Sequence, residues 1–200
     1  MKPVDLAYYV IDKCRDVTPL KLQKLMYYLK VWGVVSQDDV IDGDFEKWRF
    51  GPVNAEVYNE FKKYGSGAIP KSLLFKKKTP EDKKPFIDFV LECYDPFDAL
   101  TLSSMTHAED PWQETPYEQV ISEKSIKQYY STLPFAKNFP YFPNKPFYPV
   151  QTNMYHAFIM DMSKDEAAKL TVYPSFAFYK EQVKEAQKQS SALLSKLAQQ

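Results

Sequence analysis

Glycine is scarce in this sequence, and its scarcity excludes the common phosphate-binding loops. Only 5 glycines occur in 200 residues, and none stands in a Gly-x-Gly-x-x-Gly or Walker pattern. Those patterns let backbone amides approach and cradle a phosphate, so a nucleotide would find no such loop here. Histidine and cysteine are scarcer still, with 2 of each. The sequence therefore predicts a protein without a cofactor.

Cysteine usage and the lack of long apolar runs favour a cytoplasmic protein. Cys14 and Cys93 lie far apart in segments that read as helical, so they form neither a disulfide framework nor a metal-ligand pair. No run approaches the ~20 apolar residues that a membrane span needs. Asp12 and Lys13 interrupt the first apolar stretch, which does not resemble a signal peptide. We expect a cytoplasmic location and no membrane partner.

Groups that might carry chemistry gather only loosely around His107. Glu109 and Asp110 follow it, but the second histidine, His156, lies in a different segment, which is not the paired spacing of a metal site. Ser103 is close in sequence but does not sit in a Gly-x-Ser-x-Gly elbow. We expect no metal and no enzymatic activity. A hydrolase or nucleotide-modifying enzyme that uses His107 is the weaker alternative.

The charges of the chain cancel. There are 26 Lys and Arg residues against 26 Asp and Glu residues, so no net field attracts nucleic acid or an anionic membrane. The most basic stretch combines Lys76–Lys78 with Lys83 and Lys84, but Glu81 and Asp82 lie inside it. This mixture favours a solvated loop over a nucleic-acid surface. A protein partner is the better expectation, and the oligomeric state stays open.

Helix signals dominate the first 133 residues. Thr18 and Pro19 mark a helix start, and Leu22, Leu25 and Met26 then follow at helical spacing. The predicted helices cover about residues 3–14, 19–33, 55–64, 80–94, 98–106 and 122–133. Between 33 and 53 the pattern is irregular, and the Asp42-Gly43 turn signal predicts a short hairpin.

The composition changes at Pro134. The segment 134–150 contains 5 prolines and 6 aromatic residues, which excludes helix and favours extended structure. After Pro174 a polar, helix-prone stretch carries apolar residues at alternating spacings of four and three. We therefore predict a mainly α protein. A compact domain of about six helices with a small β-hairpin spans 1–133, and an extension over 134–200 ends in a long helix.

The extension is the predicted partner-binding region. So many aromatic side chains would leave a large apolar patch in water unless they pack on their own domain or meet another protein. Aromatic residues are enriched at interface hot spots, and proline lowers the entropic cost of binding. The candidate contact residues are Phe135, Phe139, Tyr141, Phe142, Phe147 and Tyr148 in the segment, and Tyr179, Val183, Leu193 and Leu197 in the final helix. Packing against the parent domain is the alternative.

Four blocks of the first 133 residues, in the same order, resemble the Panacea domain of bacterial and phage proteins. The blocks are 18–28, 45–65, 102–112 and 121–130, and they include Lys-Trp-Arg-Phe-Gly-Pro and Ser-Ser-Met-Thr-His. The resemblance implies a helical antitoxin that neutralises a cognate protein toxin by direct contact. Some relatives are adaptors that deliver a toxin to a protease, which is the alternative function. The resemblance implies no catalytic residues.

The residues of these blocks read mainly as structural. They are Pro19, Lys21, Leu22, Lys24, Leu25, Tyr28, Trp48, Gly51, Pro52, Thr106, His107 and Trp112. Trp48 is predicted to be a core anchor beside a turn that Gly51 permits and Pro52 stiffens. Thr106, His107 and Trp112 are predicted to form a polar and aromatic junction between helices. Lys21, Lys24 and Arg49 fit a core less easily and are also candidates for a polar contact surface.

Overall fold

The computed structural model of the chain describes residues 1–38, 40–71, 81–151 and 172–197. The chain divides into two compact units, Met1–Ala136 and Lys137–Gln200. The described residues contain eight α-helices and a two-stranded antiparallel hairpin, so the protein is mainly α, as predicted. None of the described helices combines the length and the apolar character that a membrane crossing requires.

The first unit holds seven of these helices and the hairpin. The helices are α1 (Pro3–Lys13), α2 (Pro19–Ser36), α3 (Ala55–Phe61), α4 (Lys84–Tyr94), α5 (Ala99–His107), α6 (Asp110–Glu114) and α7 (Glu123–Tyr130). The strands are β1 (Glu46–Trp48) and β2 (Gly51–Val53). Short 3-10 turns cover Lys62–Tyr64 and Pro134–Asn138. The second turn contradicts the prediction that the proline-rich segment excludes all helix, because a proline is tolerated at a first helical position.

Helix α2 is the centre of the first unit. Thr18 caps it, accepting a hydrogen bond from the Lys21 N–H at 3.2 Å, and Pro19 occupies its first turn. Helices α1, α3, α4, α5 and α7 and strand β2 all pack against it. Every residue from Lys21 to Leu29 is consequently buried. A helix that is surrounded on all sides buries its polar positions together with its apolar ones. Lys21 and Lys24 are therefore buried as well.

Helix α2 also runs three residues beyond its predicted end. The expected stop was Gly33, but Gln37 adopts the left-handed conformation (φ 58°) and supplies the C-terminal cap. Three other helices also begin at a residue whose side chain caps them. Asn54 caps α3, Asp98 caps α5 and Ser122 caps α7, each through a side-chain oxygen that accepts a backbone N–H. Helix α4 begins at Lys84, and the predicted Thr79-Pro80 start lies outside the described residues.

The hairpin turns at Arg49-Phe50, not at Asp42-Gly43 as predicted. Trp48 pairs with Gly51, which leaves Arg49 and Phe50 as a two-residue loop. Gly51 has a φ of 101°, a conformation that glycine tolerates, so this glycine is the one that closes the turn. The backbone before β1 is engaged differently, because the Asp42 N–H donates to the Met1 carbonyl at 2.8 Å.

Residues 107–121 are more regular than predicted. Helix α6 forms where only turns were expected, because Pro111 falls in its first turn and Asp110 adds a favourable negative charge there. The chain then runs beside β1. The Lys47 N–H donates to the Gln119 carbonyl at 2.9 Å, and the Ile121 N–H donates to the Phe45 carbonyl at 2.8 Å. This segment ties the end of α6 to the hairpin.

The second unit contains helix α8 (Phe176–Leu197) and an aromatic cluster at its start. Phe147 and Tyr173 exchange backbone hydrogen bonds of 2.8 and 2.9 Å. The Phe147 ring lies 4.9 Å from Phe176 and 4.7 Å from Tyr179, measured between ring centroids. Beyond this cluster α8 is mostly exposed. The stretch 163–166, Ser-Lys-Asp-Glu, has the pattern of a capping box and predicts a helix start, but it lies outside the described residues.

Candidate functional site

The hairpin turn rests on a buried lysine. Lys24 of α2 is fully buried, and its Nζ donates a hydrogen bond to the Pro52 carbonyl at 2.9 Å. Burial removes the ammonium from water and lowers the pKa of Lys24 to about 7. A Cβ on Gly51 would lie 2.6 Å from this Nζ and 2.7 Å from the Thr106 Oγ1. Gly51 is therefore required both for its backbone conformation and for the space it leaves.

Helix α5 holds the same turn from the other side. The Ser103 Oγ donates to the Phe50 carbonyl at 3.0 Å, and the His107 Nε2 lies 3.2 Å from the Arg49 carbonyl. A carbonyl only accepts, so this geometry makes Nε2 the protonated nitrogen of His107. Burial lowers the pKa of His107, which keeps its imidazole neutral in this role. We call Lys24, Ser103 and His107 the turn clamp.

The turn clamp fixes which way the loop side chains face. It engages the carbonyls of Arg49, Phe50 and Pro52, three of the four residues from 49 to 52. With those carbonyls held against α2 and α5, the side chains of Arg49 and Phe50 are left outside. Both are exposed, Phe50 by 61%. The clamp residues thus position a turn.

His107 also joins α5 to α6. Its ring meets Trp112 edge to face at 4.1 Å between centroids. The Lys47 Nζ lies 4.5 Å from the Trp112 ring and donates to the Gln113 carbonyl at 2.8 Å. The Gln113 side chain donates back to the His107 carbonyl at 2.9 Å. Together these contacts form a polar and aromatic corner between α5, α6 and β1.

A buried carboxyl group connects three helices. Glu109 accepts hydrogen bonds from the Tyr28 hydroxyl, at 3.0 Å, and from the Tyr130 hydroxyl. Burial raises the pKa of Glu109 to about 8, although the two hydroxyls act in the opposite direction. The Tyr28 ring stacks on Tyr94 at 4.1 Å. Sequence reasoning considered Glu109 only as a metal ligand, and no local pattern signals that distant tyrosines meet it.

Lys21 faces inward, as Lys24 does. Its Nζ lies 2.8 Å from an Asp95 carboxylate oxygen, and it also donates to the Asp95 and Arg15 carbonyls at 2.8 and 3.1 Å. The prediction that Lys21, Lys24 and Arg49 form a polar contact surface is therefore wrong for the two lysines. Both lie on a helix enclosed by its neighbours and bind backbone carbonyls. Arg49 alone of the three is exposed.

The apolar residues of the same blocks divide between core and surface. Leu22, Leu25 and Tyr28 are fully buried. Trp48 is only half-buried, so it is not the predicted core anchor. It packs against the exposed Tyr58 at 4.9 Å between centroids, and its Nε1 donates to Glu46 at 2.9 Å. The short β1 strand lies at the edge of the unit, where one face of Trp48 stays in contact with solvent.

Two of the predicted partner-binding aromatics are core residues. Phe135 is 3% exposed and belongs to the first unit, where its ring lies 4.8 Å from Trp32 and 5.9 Å from Phe89. Phe147 is 2% exposed within the aromatic cluster of the second unit. The alternative of packing against the parent domain therefore holds for Phe135, whereas the Phe147 ring packs within the second unit.

The remaining predicted contact residues differ in exposure. Phe142 is 56% exposed, and Phe139, Tyr141 and Tyr148 are half-buried. On α8, Tyr179 joins the aromatic cluster and Val183 is half-exposed. Leu193 and Leu197 lie on α8, but their side chains fall outside the description. Their neighbour Leu194, which the predicted stripe omitted, is 63% exposed.

Metal and anion sites are the remaining candidates. Within the described ranges, no group of three or more His, Cys, Asp or Glu side chains is placed to hold a metal ion. His156 and Lys76–Lys78 lie outside those ranges. Lys83 pairs with Asp38, and Lys84 pairs with Glu81 at 2.6 Å, so the described part of the basic stretch is locally neutralised.

The arrangement of α2, the hairpin, α5 and α6 coincides with a known domain. Residues 22–113 match the family model described as "Antitoxin SocA-like, Panacea domain". This stretch is similar to a Panacea domain. The match confirms the resemblance drawn from the sequence blocks and supports a toxin–antitoxin role in general terms. No curated protein and no solved structure matches the chain.

The Panacea match contains the whole turn clamp and the corner around Trp112. Lys24, Ser103 and His107 lie inside it, and so does the buried Glu109. Two elements that pack on α2, namely α1 and α7, lie outside the matched residues. The compact first unit is therefore larger than the matched segment, and its core needs both flanking helices.

Proposed function

We propose that the chain is an antitoxin that neutralises a cognate protein toxin by binding it, without catalysis. The Panacea match is the observation that carries this proposal. The ionisable groups inside the domain fit it as well. Lys24, His107 and Glu109 each hold one element against another. These contacts give all three side chains a structural role, so binding accounts for the domain without assigning a catalytic role to them.

The second unit offers a surface for the toxin. Phe142, Phe178 and Leu194 are large apolar residues that are 56%, 42% and 63% exposed. Between Lys180 and Ser195 only Val183 is half-buried among the described α8 side chains. Helices gain most of their stability from packing, so a long exposed helix is well suited to be covered by a partner. We keep Phe139, Tyr141, Tyr148, Tyr179 and Val183 as proposed surrounding contacts.

Co-expression with the protein encoded by the adjacent open reading frame tests this function. That protein, induced alone, should stop growth, and the full-length chain should restore growth and co-purify with it in a fixed ratio. Replacing Phe142 and Leu194 together by serine should weaken both rescue and co-purification. Tyr117→Ser is the matched control, because Tyr117 is 60% exposed but belongs to the first unit. Rescue without a complex would contradict neutralisation by binding.

The adaptor alternative predicts a different fate for the toxin. An adaptor shortens the lifetime of its client, whereas a binding antitoxin accumulates with an intact toxin. A pulse-chase of the toxin with and without the chain separates the two mechanisms. We expect an unchanged or longer toxin half-life. A markedly shorter half-life that depends on a cellular protease would favour delivery over neutralisation.

A further inference from the structure

The tip of the hairpin carries a second exposed apolar surface, on the first unit. We call Arg49, Phe50 and Leu100 the tip surface. Phe50 is 61% exposed and Leu100 is 73% exposed. Leu100 lies on α5 one turn before Ser103, on the same helix face, and Ser103 holds the Phe50 carbonyl at 3.0 Å. Ser103 thus links the hairpin loop, which carries Phe50, to the part of α5 that carries Leu100, and each element has an exposed apolar side chain.

The tip is held more rigidly than a connecting loop requires. Two three-residue strands can be joined by a loop whose carbonyls are solvated by water. Here three carbonyls are instead engaged by the turn clamp, and one of the clamp residues is a fully buried lysine. Burying an amine is unfavourable, so the fold accepts a cost in order to fix this turn. The turn clamp thereby fixes the backbone that carries the exposed side chains of Arg49 and Phe50.

Rigid presentation of such a pair favours binding. A preorganised loop loses little conformational entropy when a partner docks, so more of the contact energy appears as affinity. Arginine and aromatic residues are also enriched among the residues that dominate protein interfaces. The Arg49 guanidinium lies 5.4 Å from the Phe50 ring centroid, so charge and apolar surface are adjacent.

The positive charge of Arg49 indicates which chemical groups a partner of the tip surface would carry. No ion pair formed within the described ranges involves Arg49, although six lysine side chains and the N-terminus do form such pairs with carboxylates there. Lys47, two residues away on β1, is also basic. The complementary surface is an apolar pocket with a carboxylate at its rim. A planar guanidinium recognises a carboxylate through two parallel hydrogen bonds.

We propose that the tip surface is a toxin-docking site, in which Phe50 and Leu100 enter an apolar pocket and Arg49 pairs with a carboxylate of the toxin. This inference rests on the proposed antitoxin function and adds a contact on the Panacea-like domain to the one proposed on the second unit. The toxin surface is thus expected to be acidic where it meets the tip.

Calorimetric titration of the full-length chain with the protein from the adjacent open reading frame tests the tip directly. Phe50→Ser and Arg49→Glu should each weaken binding by about tenfold or more. Phe50→Leu and Arg49→Lys should weaken it less, because they keep the apolar contact and the charge. Lys63→Glu is the charge control, since Lys63 is 61% exposed on a different element. The unfolding midpoints of all five variants should stay close to that of the parent chain.

The possible outcomes distinguish a failure of the tip-surface proposal from a failure of the proposed antitoxin function. If the parent chain binds and both Phe50→Ser and Arg49→Glu bind equally well, the tip proposal is wrong and the antitoxin function stands. If the parent chain does not bind, the proposed function fails and the tip proposal fails with it. Equal weakening by Arg49→Lys and Arg49→Glu would overturn the carboxylate partner. A self-association of the chain that Phe50→Ser abolishes would assign the tip to a second copy instead.

Discussion

At the scale of single residues, two buried ionisable side chains make stability depend on pH in opposite directions. The pKa of Glu109 is raised from 4.5 to about 8 in the folded protein. The stability that the neutral Glu109 contributes is therefore fully present below about pH 4.5 and is lost as the pH rises toward 8. The pKa of Lys24 is lowered from 10.5 to about 7 in the folded protein. The stability that the neutral Lys24 contributes is therefore fully present above about pH 10.5 and is lost as the pH falls toward 7. Near neutral pH both groups are costly.

The pH dependence of unfolding tests this pair. Relative to Glu109→Gln, the parent chain should lose stability between about pH 5 and about pH 8, because only the parent can ionise in the unfolded state. Relative to Lys24→Met, the parent should gain stability between about pH 7 and about pH 10. Urea unfolding followed by circular dichroism at several pH values measures both differences. Curves that stay parallel across each window would show that the two groups are not buried as described.

Gly51 tests the turn clamp at its tightest point. Gly51→Ala should lower the free energy of unfolding by about 2 kcal/mol or more, because the new methyl group meets Lys24 and Thr106 and φ is unfavourable for alanine. Gly65→Ala is the matched control. Gly65 also has a positive φ, but a Cβ there meets no atom within 4 Å, so only the backbone cost of about 1 kcal/mol is expected. Equal losses from the two substitutions would contradict a crowded turn.

Sequence reasoning at this scale succeeded for side chains with local partners and failed for those with distant ones. The cap oxygens of Thr18 and Asn54 were predictable because their partners lie three residues away. Lys21 and Lys24 were not, because a lysine on a helix usually faces water. Their carbonyl partners come from elements up to 74 positions away in the chain. Only the assembled fold shows that the stretch of α2 from Lys21 to Leu29 has no face toward solvent.

At the scale of elements, helix type and order follow from the sequence, whereas exact ends and turns do not. Six predicted helices are present in the first unit, and the hairpin lies within the expected interval. The turn was misplaced because Asp42-Gly43 and Gly51-Pro52 are both strong turn signals. Strand pairing between Trp48 and Gly51 decided between them. Helix α6 was missed because five residues with a proline near the start read as a turn.

The cap of α3 is expected to count for more than an ordinary helix cap. Asn54 accepts from the Val57 N–H, donates from its side chain to the Asp44 carbonyl at 2.9 Å, and donates its own N–H to Gln23 at 2.8 Å. Asn54→Ala should lower the free energy of unfolding by about 2 kcal/mol.

The exposed cap of α7 provides the comparison. Ser122 accepts from the Ser125 N–H at 3.1 Å and is exposed, so Ser122→Ala should cost only about 0.5–1 kcal/mol. Both losses can be measured by urea unfolding in the same buffer. A Ser122→Ala loss equal to or larger than the Asn54→Ala loss would show that the buried connections of Asn54 add little.

At the scale of the whole molecule, the compact first unit ends at Ala136 and includes Phe135. The sequence placed the domain boundary at 133 because the proline-rich composition begins at Pro134. Composition does not reveal that the second residue of that segment fills a space between Trp32, Phe89 and Tyr94. A truncation meant to isolate the first unit should therefore keep Phe135.

Phe135 and Phe142 are seven positions apart and should behave very differently. Phe135→Ala should lower the free energy of unfolding by about 3–5 kcal/mol, because it removes a ring from a packed aromatic core. Phe142→Ala should change it by less than about 0.5 kcal/mol, since that ring is 56% exposed. Chemical denaturation of the full-length variants measures both values. A small change in the free energy of unfolding for Phe135→Ala would contradict a core position for that residue.

Binding without catalysis is the central claim, and a titration of toxin activity tests it most directly. Purified toxin from the adjacent open reading frame is mixed with increasing amounts of the full-length chain, and residual toxin activity is measured after short and long incubation. A binding antitoxin removes activity in proportion to its amount, with an end point at a fixed ratio that incubation time does not change. Denaturing separation should then return an active, unmodified toxin. Complete loss of activity at a small fraction of that ratio, progressing with time, would contradict the account.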